Sequence, residues 1–305
     1  MLANNNKMII NKLAKNSVKS NKKQYGILFF TIVLSAFMLF CVFTIGLTYL
    51  DSSRLQNTRL NGAEYDITTM NGFTSKQVKS LQSNKNIQNV GMESYAGFIK
   101  SSEFDNTVEI GLLWCDETFW NNLMSPARTK LDGHYPQNKN ELMVTKDILK
   151  ACGNENLSVG DSIVLTYENN TGVHTDKFVI SGIWDGYGDK SAGFVSKNFY
   201  DETGYDLKND GILCIKLNRN YVLPTTIQSL EKSLNFSDRQ IFAPTDYIEN
   251  SFKLLLGICG LALVICLSAY LLIYNILYLS ISGKIRYYGL LQSLGMTKKQ
   301  LVRFI

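Results

Sequence analysis

Two long stretches of the chain are apolar on every side of the helix that each would form. Residues 24–50 contain no Asp, Glu, Lys, Arg or His, and neither do residues 254–283. A membrane hydrocarbon core about 30 Å thick needs roughly 20 such residues at 1.5 Å each. A core helix of a soluble protein would be shorter and would carry a polar face. We therefore predict transmembrane helices over residues 25–50 and 251–283.

The segment between the two runs, residues 51–250, has the short mixed patterns of an α+β domain. Alternating or β-branched stretches predict strands at residues 107–114, 141–145, 162–167, 177–183 and 211–217. Helical spacing and capping residues predict helices at 74–81, 117–124, 146–151 and 225–234. The sequence Asn169-Asn170-Thr171-Gly172 is typical of a hairpin turn. The predicted fold class is thus a membrane protein in which two transmembrane helices flank a mixed α+β domain.

Charge is distributed along the chain in a basic, acidic, basic order. All 26 Asp and Glu lie between Asp51 and Glu249. Six lysines precede the first apolar run and five Lys or Arg follow the second, which leaves 20 Lys and Arg in between. Because Lys and Arg stay on the cytoplasmic side, both chain ends are predicted to be cytoplasmic and residues 51–250 extracytoplasmic, in a multi-pass protein of the cell membrane. The net charge of +5 is no sign of nucleic-acid binding, because each basic end adjoins an apolar run.

The N-terminal segment, residues 1–24, carries apolar residues between its lysines. They are Met8, Ile9, Ile10, Leu13, Ala14 and Val18. This spacing predicts an amphipathic helix in the inner membrane interface, with a disordered basic tail as the alternative. A cleaved signal peptide is the competing interpretation of the first run, but Thr48-Tyr49-Leu50-Asp51 offers no cleavage site of small residues. We expect an uncleaved anchor.

No pattern for catalysis, metal binding or cofactor binding occurs in the chain. His134 and His174 stand outside any metal-ligand spacing and are expected in solvated loops. No G-x-S-x-G elbow is present. Gly188-Asp189-Lys190-Ser191 has Asp where a phosphate loop needs Gly, and is predicted to be a surface turn. We expect a protein that is not an enzyme and has no catalytic residues, metal or cofactor.

The six cysteines do not form a disulfide framework. Cys41, Cys259 and Cys266 fall in the predicted spans, and three more lie at wide spacing outside them. At most one bridge could form, and we expect none, with Cys115, Cys152 and Cys214 as small buried residues.

The segment after the second span carries the most specific motif. Residues 282–301 have the sequence SGKIRYYGLLQSLGMTKKQL. The apolar residues among them, punctuated by Gly289 and Gly295, predict a short amphipathic helix bent off the membrane helix by glycine. The motif of a basic turn, Gly-Leu-Leu and then Leu-Gly-x-Thr-basic-basic-Gln resembles that of the FtsX/MacB-like permeases of ABC transporters. Tyr288 departs from that family, which often has an acidic residue there, and so does Met296, where Ala is common.

Three segments of the predicted outer domain extend the resemblance. The Gly133-x-x-Pro136 turn with Asn140-Glu141-Leu142 resembles the MacB-like extracytoplasmic core, as do the Val159–Ile163 turn and the strand Phe178–Ile183. Near the start of the chain, Leu13-Ala14-Lys15-Asn16-Ser17 resembles the family's amphipathic helix. The resemblance covers essentially the whole chain.

The resemblance implies a function without chemistry of its own. Residues 284–305 would be a cytoplasmic coupling segment that docks on an ABC ATPase, and ATP hydrolysis would occur in that separate subunit. The implied coupling residues are Gly289, Leu290, Leu291, Leu294, Gly295, Lys298 and Lys299. A cationic helix resting on anionic lipid is the alternative for this segment. Further implied partners are a second permease copy or half and the lipid bilayer, and the implied substrates are exported or extracted peptides, antimicrobials or lipoproteins.

Two other function classes remain open at this stage. One is an FtsX-type regulator of a cell-wall hydrolase, and the other is a two-span sensor with an extracellular ligand domain. A sensor would normally continue into a heptad helix, against which Gly289 and Gly295 argue. Since family permeases have four or more spans, we expect the chain to be the N-terminal portion of a longer permease, a gene fragment or the first half of a repeat.

Overall fold

The computed structural model describes residues 11–304, apart from residues 13–14, 17–18, 101–109 and 189–191. The chain divides into two units. One comprises the chain up to Thr48 and from Leu255 onward, and the other is Tyr49–Leu254. The apolar residues of the predicted N-terminal amphipathic helix lie outside the described residues, and so do Asp189, Lys190 and Ser191 of the predicted surface turn.

Two helices contain the long apolar runs. They are α1, Lys22–Asn61, and α6, Asp246–Ser282, and each has a window with mean hydropathy of 2.6. Their apolar side chains are exposed around the helix, with Phe29 and Ile45 of α1 each 69% exposed. Both helices are long and apolar enough to cross a membrane. They also extend past the predicted spans, because α1 continues to Asn61 and α6 already begins at Asp246.

The apolar parts of α1 and α6 lie antiparallel against each other. Ser280 donates a hydrogen bond to Gln24 at 3.3 Å, and a Cβ atom on Gly46 would meet the Ile258 Cδ1 atom at 2.6 Å. Gln24 and Gly46 are 22 residues apart, as are Ile258 and Ser280. The two helices therefore stay paired over about 33 Å, which matches the hydrocarbon thickness. Gly46 permits the close approach, as small residues do between membrane helices.

The unit from Tyr49 to Leu254 is built on one sheet, in which the described residues form ten strands. The strands are β1 Ile67–Met70, β2 Ile87–Lys100, β3 Ile110–Cys115, β4 Arg128–Gly133, β5 Glu141–Thr145, β6 Ser162–Asn169, β7 Gly172–Gly186, β8 Ala192–Val195, β9 Ile212–Leu217 and β10 Ile241–Pro244. Their order is β10-β1-β9-β2-β3-β8-β5-β7-β4, and β6 pairs with both β2 and β7.

Short helices cover the sheet. They are α2 Ser75–Gln82, α3 Lys146–Ala151, α4 Lys197–Tyr200 and α5 Pro224–Ser233, together with a π-helical turn at Phe119–Leu123 and a 3₁₀ turn at Ser125–Ala127. Three apolar clusters result. One packs around Phe178 and Leu142, one around Ile67 and Leu81, and the third around Trp120 under the π-helical turn.

Most of the predicted local elements are present. Helices α2, α3 and α5 confirm three of the four predictions, and Thr74 closes α2 with Gln77 in a reciprocal capping box. Residues 117–124 are helical, but around a π-helical turn. The hairpin is confirmed by pairing of Asn169 with Gly172, and β6 and β7 are longer than predicted. Of the strand predicted at 107–114, residues 107–109 lie outside the described residues.

One sequence expectation was wrong and another is confirmed. His174 does not lie in a loop but in β7, half-buried, with its ring 5.6 Å from that of Tyr167. Cross-strand pairing with aromatic Tyr167 accounts for its place in the sheet. All six cysteines are free, and Cys115 and Cys214 are buried.

Candidate functional site

The segment that follows α6 folds into two short helices, α7 Ile285–Ser293 and α8 Lys298–Phe304. Helix α6 stops at Ser282. There the Gly283 and Lys284 amides donate to the Leu279 and Ile281 carbonyls at 3.1 and 3.0 Å. The chain is then free to begin α7 as a separate helix.

The end of α7 is specified by Gly295. Its φ of +95° lies in the left-handed region that glycine adopts at little cost. The Gly295 amide donates to the Gln292 carbonyl at 3.0 Å, and the Met296 amide donates to the Leu291 carbonyl at 3.1 Å. These two bonds are a Schellman motif, which satisfies the last carbonyls of a helix.

The start of α8 is specified two residues later. The Gln300 amide donates to the Thr297 Oγ1 atom at 3.4 Å, and the Thr297 amide donates to the Gln300 Oε1 atom at 2.9 Å. This reciprocal pair is a capping box. The sequence from Leu294 to Gln300 is therefore a compact stop-and-start signal that fixes a turn between two helices.

One side of α7 is an exposed apolar stripe, which we call the coupling face. Its members, at helical spacing, are Tyr287, Leu290, Leu291 and Leu294. Leu290 is 63% exposed and Leu294 is 84% exposed, whereas Leu291 is half-buried. Such a stripe on a short helix is suited to bury itself in a partner's apolar groove or in a lipid interface.

The remaining predicted coupling residues lie apart from this face. Gly289 is on the opposite side of α7, inside the helix, so it does not bend the chain. The breaks occur at Gly283 and Gly295 instead. Lys298 and Lys299 lie in the first turn of α8 and are exposed. Since the sequence from Asn250 to Ile305 has no Asp or Glu, the charge around the coupling face is entirely basic.

A second site, in the sheet unit, is a buried ionic cluster around Lys216. The Lys216 side chain is 7% exposed, and its Nζ atom lies 3.3 Å from carboxylate oxygens of both Glu64 and Asp66. The Asp66 Oδ2 atom also accepts from the Leu217 amide at 2.8 Å. Burial raises the pKa of Asp66, and Lys216 and the amide oppose that shift. Sequence reasoning missed this cluster, although a lysine inside the apolar run Ile212–Leu217 was a visible sign.

Asp66 ties together the ends of both long helices. The Asp66 amide donates to the Ile215 carbonyl at 2.9 Å, and the Thr245 amide donates to the Asp66 carbonyl at 2.8 Å. Asp66 follows shortly after α1 ends, and Thr245 directly precedes α6. The cluster therefore joins the first and last strands of the sheet at the point where α1 and α6 connect to it.

A third feature is a half-buried carboxyl on β2. Burial raises the pKa of Glu93 to about 7, and a hydrogen bond from the Cys214 thiol at 3.7 Å acts against the shift. Glu93 pairs with Cys115 across β3, and Gly91 pairs with Cys214 across β9, so the three side chains share one face of the sheet. Burial also raises the pKa of both thiols well above their usual value, which makes them poor nucleophiles. Among the described residues, no group of three or more His, Cys, Asp and Glu could hold a metal.

Comparison with known proteins gives only distant likenesses. No protein-family model matches the chain, and no curated protein matches it. Among solved structures, the periplasmic region of MacB from Actinobacillus actinomycetemcomitans is similar over 64% of this chain and 95% of that one, at 15% identity and a TM-score of 0.42. The extracellular domain of the noncanonic ABC-type transporter YknZ from Gram-positive bacteria is similar over 59% of this chain and 99% of that one, at 11% identity and a TM-score of 0.39. What this chain does is argued below from its own residues.

Proposed function

We propose that the chain is the membrane-spanning relay of an ABC-type permease, without catalytic activity of its own. In this proposal α1 and α6 cross the cell membrane, both chain ends are cytoplasmic, and the sheet unit lies outside the cell. A partner ATPase binds the coupling face, and its ATP-driven closure moves α6. The cargo would be peptides, antimicrobials or lipoproteins of the envelope, as the sequence resemblance implies.

The coupling face is the observation that carries the proposal. It is an apolar stripe on a helix held between two defined turns, immediately after a helix fit to cross a membrane. A helix that only anchored the chain would need neither the Schellman motif nor the capping box. Both devices fix the direction in which α7 leaves α6, and a fixed direction is what transmission of motion requires.

The exposed leucines of the coupling face test the proposal. Leu294→Asp, and separately Leu291→Asp, are expected to abolish co-purification of the full-length protein with its ATPase from detergent-solubilised membranes. Ser293→Asp is the matched control, because it adds the same charge on α7 outside the coupling face. The control should retain the ATPase.

Two results would reject the proposal. Retention of the ATPase by both leucine variants would show that the coupling face is not its binding site. Loss of membrane association in those variants, with no ATPase bound to the wild-type protein, would support a helix that rests on lipid.

A further inference from the structure

A polar cavity opens in the sheet unit beside the N-terminal end of α2. Its volume is about 500 Å³. The walls come from the loop after β1, the first turns of α2, the turn before β9 and the segment between α5 and β10. It therefore lies at the end of β1 opposite to Asp66, away from the ionic cluster. A volume of this size is in the range of pockets that bind small ligands.

Three cations line the cavity and no acidic residue does. They are Lys76, Lys208 and Arg239. None of them takes part in the ion pairs found among the described residues. The nearby carboxylates of Asp206 and Asp210 instead accept backbone amides within their own turn, from Lys208 and Asp206 at 3.0 and 2.8 Å. The cavity consequently presents uncompensated positive charge.

The rest of the lining is rich in side-chain amides that are already held in place. Gln77 is 6% exposed, and its Nε2 atom donates to the Leu234 carbonyl at 3.1 Å. Gln240 donates to the Gly72 carbonyl at 2.7 Å, and Asn71 donates to the Arg239 carbonyl at 2.8 Å. These bonds join the segments that meet at the cavity, so its shape is set before any ligand arrives.

Backbone strain is concentrated at the same place. Outside glycine, the described residues with positive φ are Asn71, at +65°, and Asn235, at +45°, and both line the cavity. Asparagine tolerates this region better than most residues, yet the conformation still has a cost. The strain adds to the evidence that the walls are fixed by the fold.

We propose that this cavity binds a short acidic peptide segment. Carboxylates would pair with the three cations, and charge-assisted hydrogen bonds of this kind are the strong ones. Amide side chains both donate and accept, as peptide groups do. The lining contains no aromatic side chain, which disfavours a sugar ligand that would stack on one.

The proposal is tested by fluorescence anisotropy on the full-length protein in neutral detergent, with a fluorescein-labelled tetraglutamate peptide as the probe. The wild type should bind it, and the affinity should fall with added salt. Lys76→Gln combined with Arg239→Gln should weaken binding at least tenfold. The matched control, Lys130→Gln with Lys177→Gln, removes two exposed lysines elsewhere on the sheet unit and should bind as the wild type does.

Further arms separate the possible outcomes. A tetraglutamine probe should bind at least tenfold more weakly than tetraglutamate. Equal loss of binding in the control variant would overturn the proposal, because net charge alone would then explain the binding. Full competition by inorganic phosphate at the peptide's own concentration would overturn it in favour of a free-anion site. Ser237→Trp, which fills the cavity from an exposed wall residue, should block the probe without changing any charge.

The peptide site and the proposed relay function can fail separately. Binding of tetraglutamate needs no ATPase, and the coupling face contains none of the cavity residues. The cavity variants should retain the ATPase in co-purification, and Leu294→Asp should still bind the peptide.

Discussion

At the residue scale, the stability of the sheet unit depends on a single lysine. Lys216→Met keeps the length of the side chain but leaves Asp66, itself 1% exposed, without its cation. Breaking a buried ion pair costs about 3–5 kcal/mol, because the remaining charge stays buried. We expect a loss of that order in the free energy of unfolding, measured by urea titration of the full-length protein in detergent.

A matched lysine pair sets the control for that prediction. Lys139 pairs with Glu202 on the surface, where both side chains are more than half exposed. Lys139→Met should cost less than about 1 kcal/mol, since solvent screens such pairs. Equal losses in the two variants would show that the Lys216 cluster is no more than a surface contact.

Glu93 gives the sheet unit a pH dependence of predictable sign. Its pKa is about 7 in the folded chain against an ordinary value of 4.5, so the folded state binds more protons between these values. Stability therefore falls as pH rises from about 4.5 to about 7. Glu93→Gln should remove this contribution and leave the variant more stable than the wild type above pH 7, by about 1–3 kcal/mol.

The measurement is urea unfolding of both proteins at pH 4.5 and at pH 8. The gap between variant and wild type should be small at the lower pH and open at the higher one. A gap of the same size at both pH values would mean that Glu93 is already ionised in the fold at acidic pH.

The residues of these two sites differ in how visible they are in the sequence. Lys216 stands out because it interrupts an apolar strand. Glu93 does not, since it lies among polar and small residues of β2 and becomes buried only through the π-helical turn that packs over Gly91. Burial of this kind is a tertiary property that no local pattern contains.

At the element scale, the two glycines of the coupling segment make opposite predictions. Gly295→Ala places a Cβ atom at φ +95° and should destabilise the turn by about 1 kcal/mol. Gly289→Ala lies inside α7, where a Cβ atom meets nothing within 4 Å, and should stabilise that helix by up to about 1 kcal/mol.

Hydrogen exchange read by mass spectrometry distinguishes the two variants. The Met296 amide, which bonds to the Leu291 carbonyl, should lose protection in Gly295→Ala. Amides of α7 should gain protection in Gly289→Ala. Loss of protection in both variants would mean that Gly289 is also needed for a break in the chain.

Helices were easier to predict than strands, for local reasons. Thr74, Gln77 and the apolar spacing are all close in sequence, so α2 is predictable. Strand β2 was missed because Gly91 and Gly97 interrupt its pattern, and the register shifts between Tyr95 and Gly97. Strands β1, β8 and β10 have only four residues each, too few to show an alternation, and β4 is almost wholly exposed.

At the scale of the whole molecule, the charge distribution predicts a definite orientation. In a variant without natural cysteines, Val164→Cys, at a position 61% exposed on β6, should react with a membrane-impermeant maleimide in intact cells or spheroplasts. Ser293→Cys, on α7, should react only after the membrane is opened. The reverse pattern would place the sheet unit in the cytoplasm and contradict the inference from the basic flanks.

The sequence predicts the kinds of element in the molecule but not the order of the strands. The apolar runs and the coupling segment are contiguous, and their features can be seen in one pass. The sheet, in contrast, places β1 between β9 and β10, which are more than 140 residues away. The polar cavity is equally distant in its origins, since Lys76 and Arg239 come from opposite ends of the sheet unit.

The bonds of Asp66 have a consequence for how the chain comes together. They join residues from opposite ends of the sheet unit, so they cannot form until almost the whole of that unit has been synthesised. Until then, the carboxylates of Glu64 and Asp66 have no cation, and β1 has neither neighbour. Closure of this end should therefore be among the last steps of folding, and the long first helix must wait for its partner throughout.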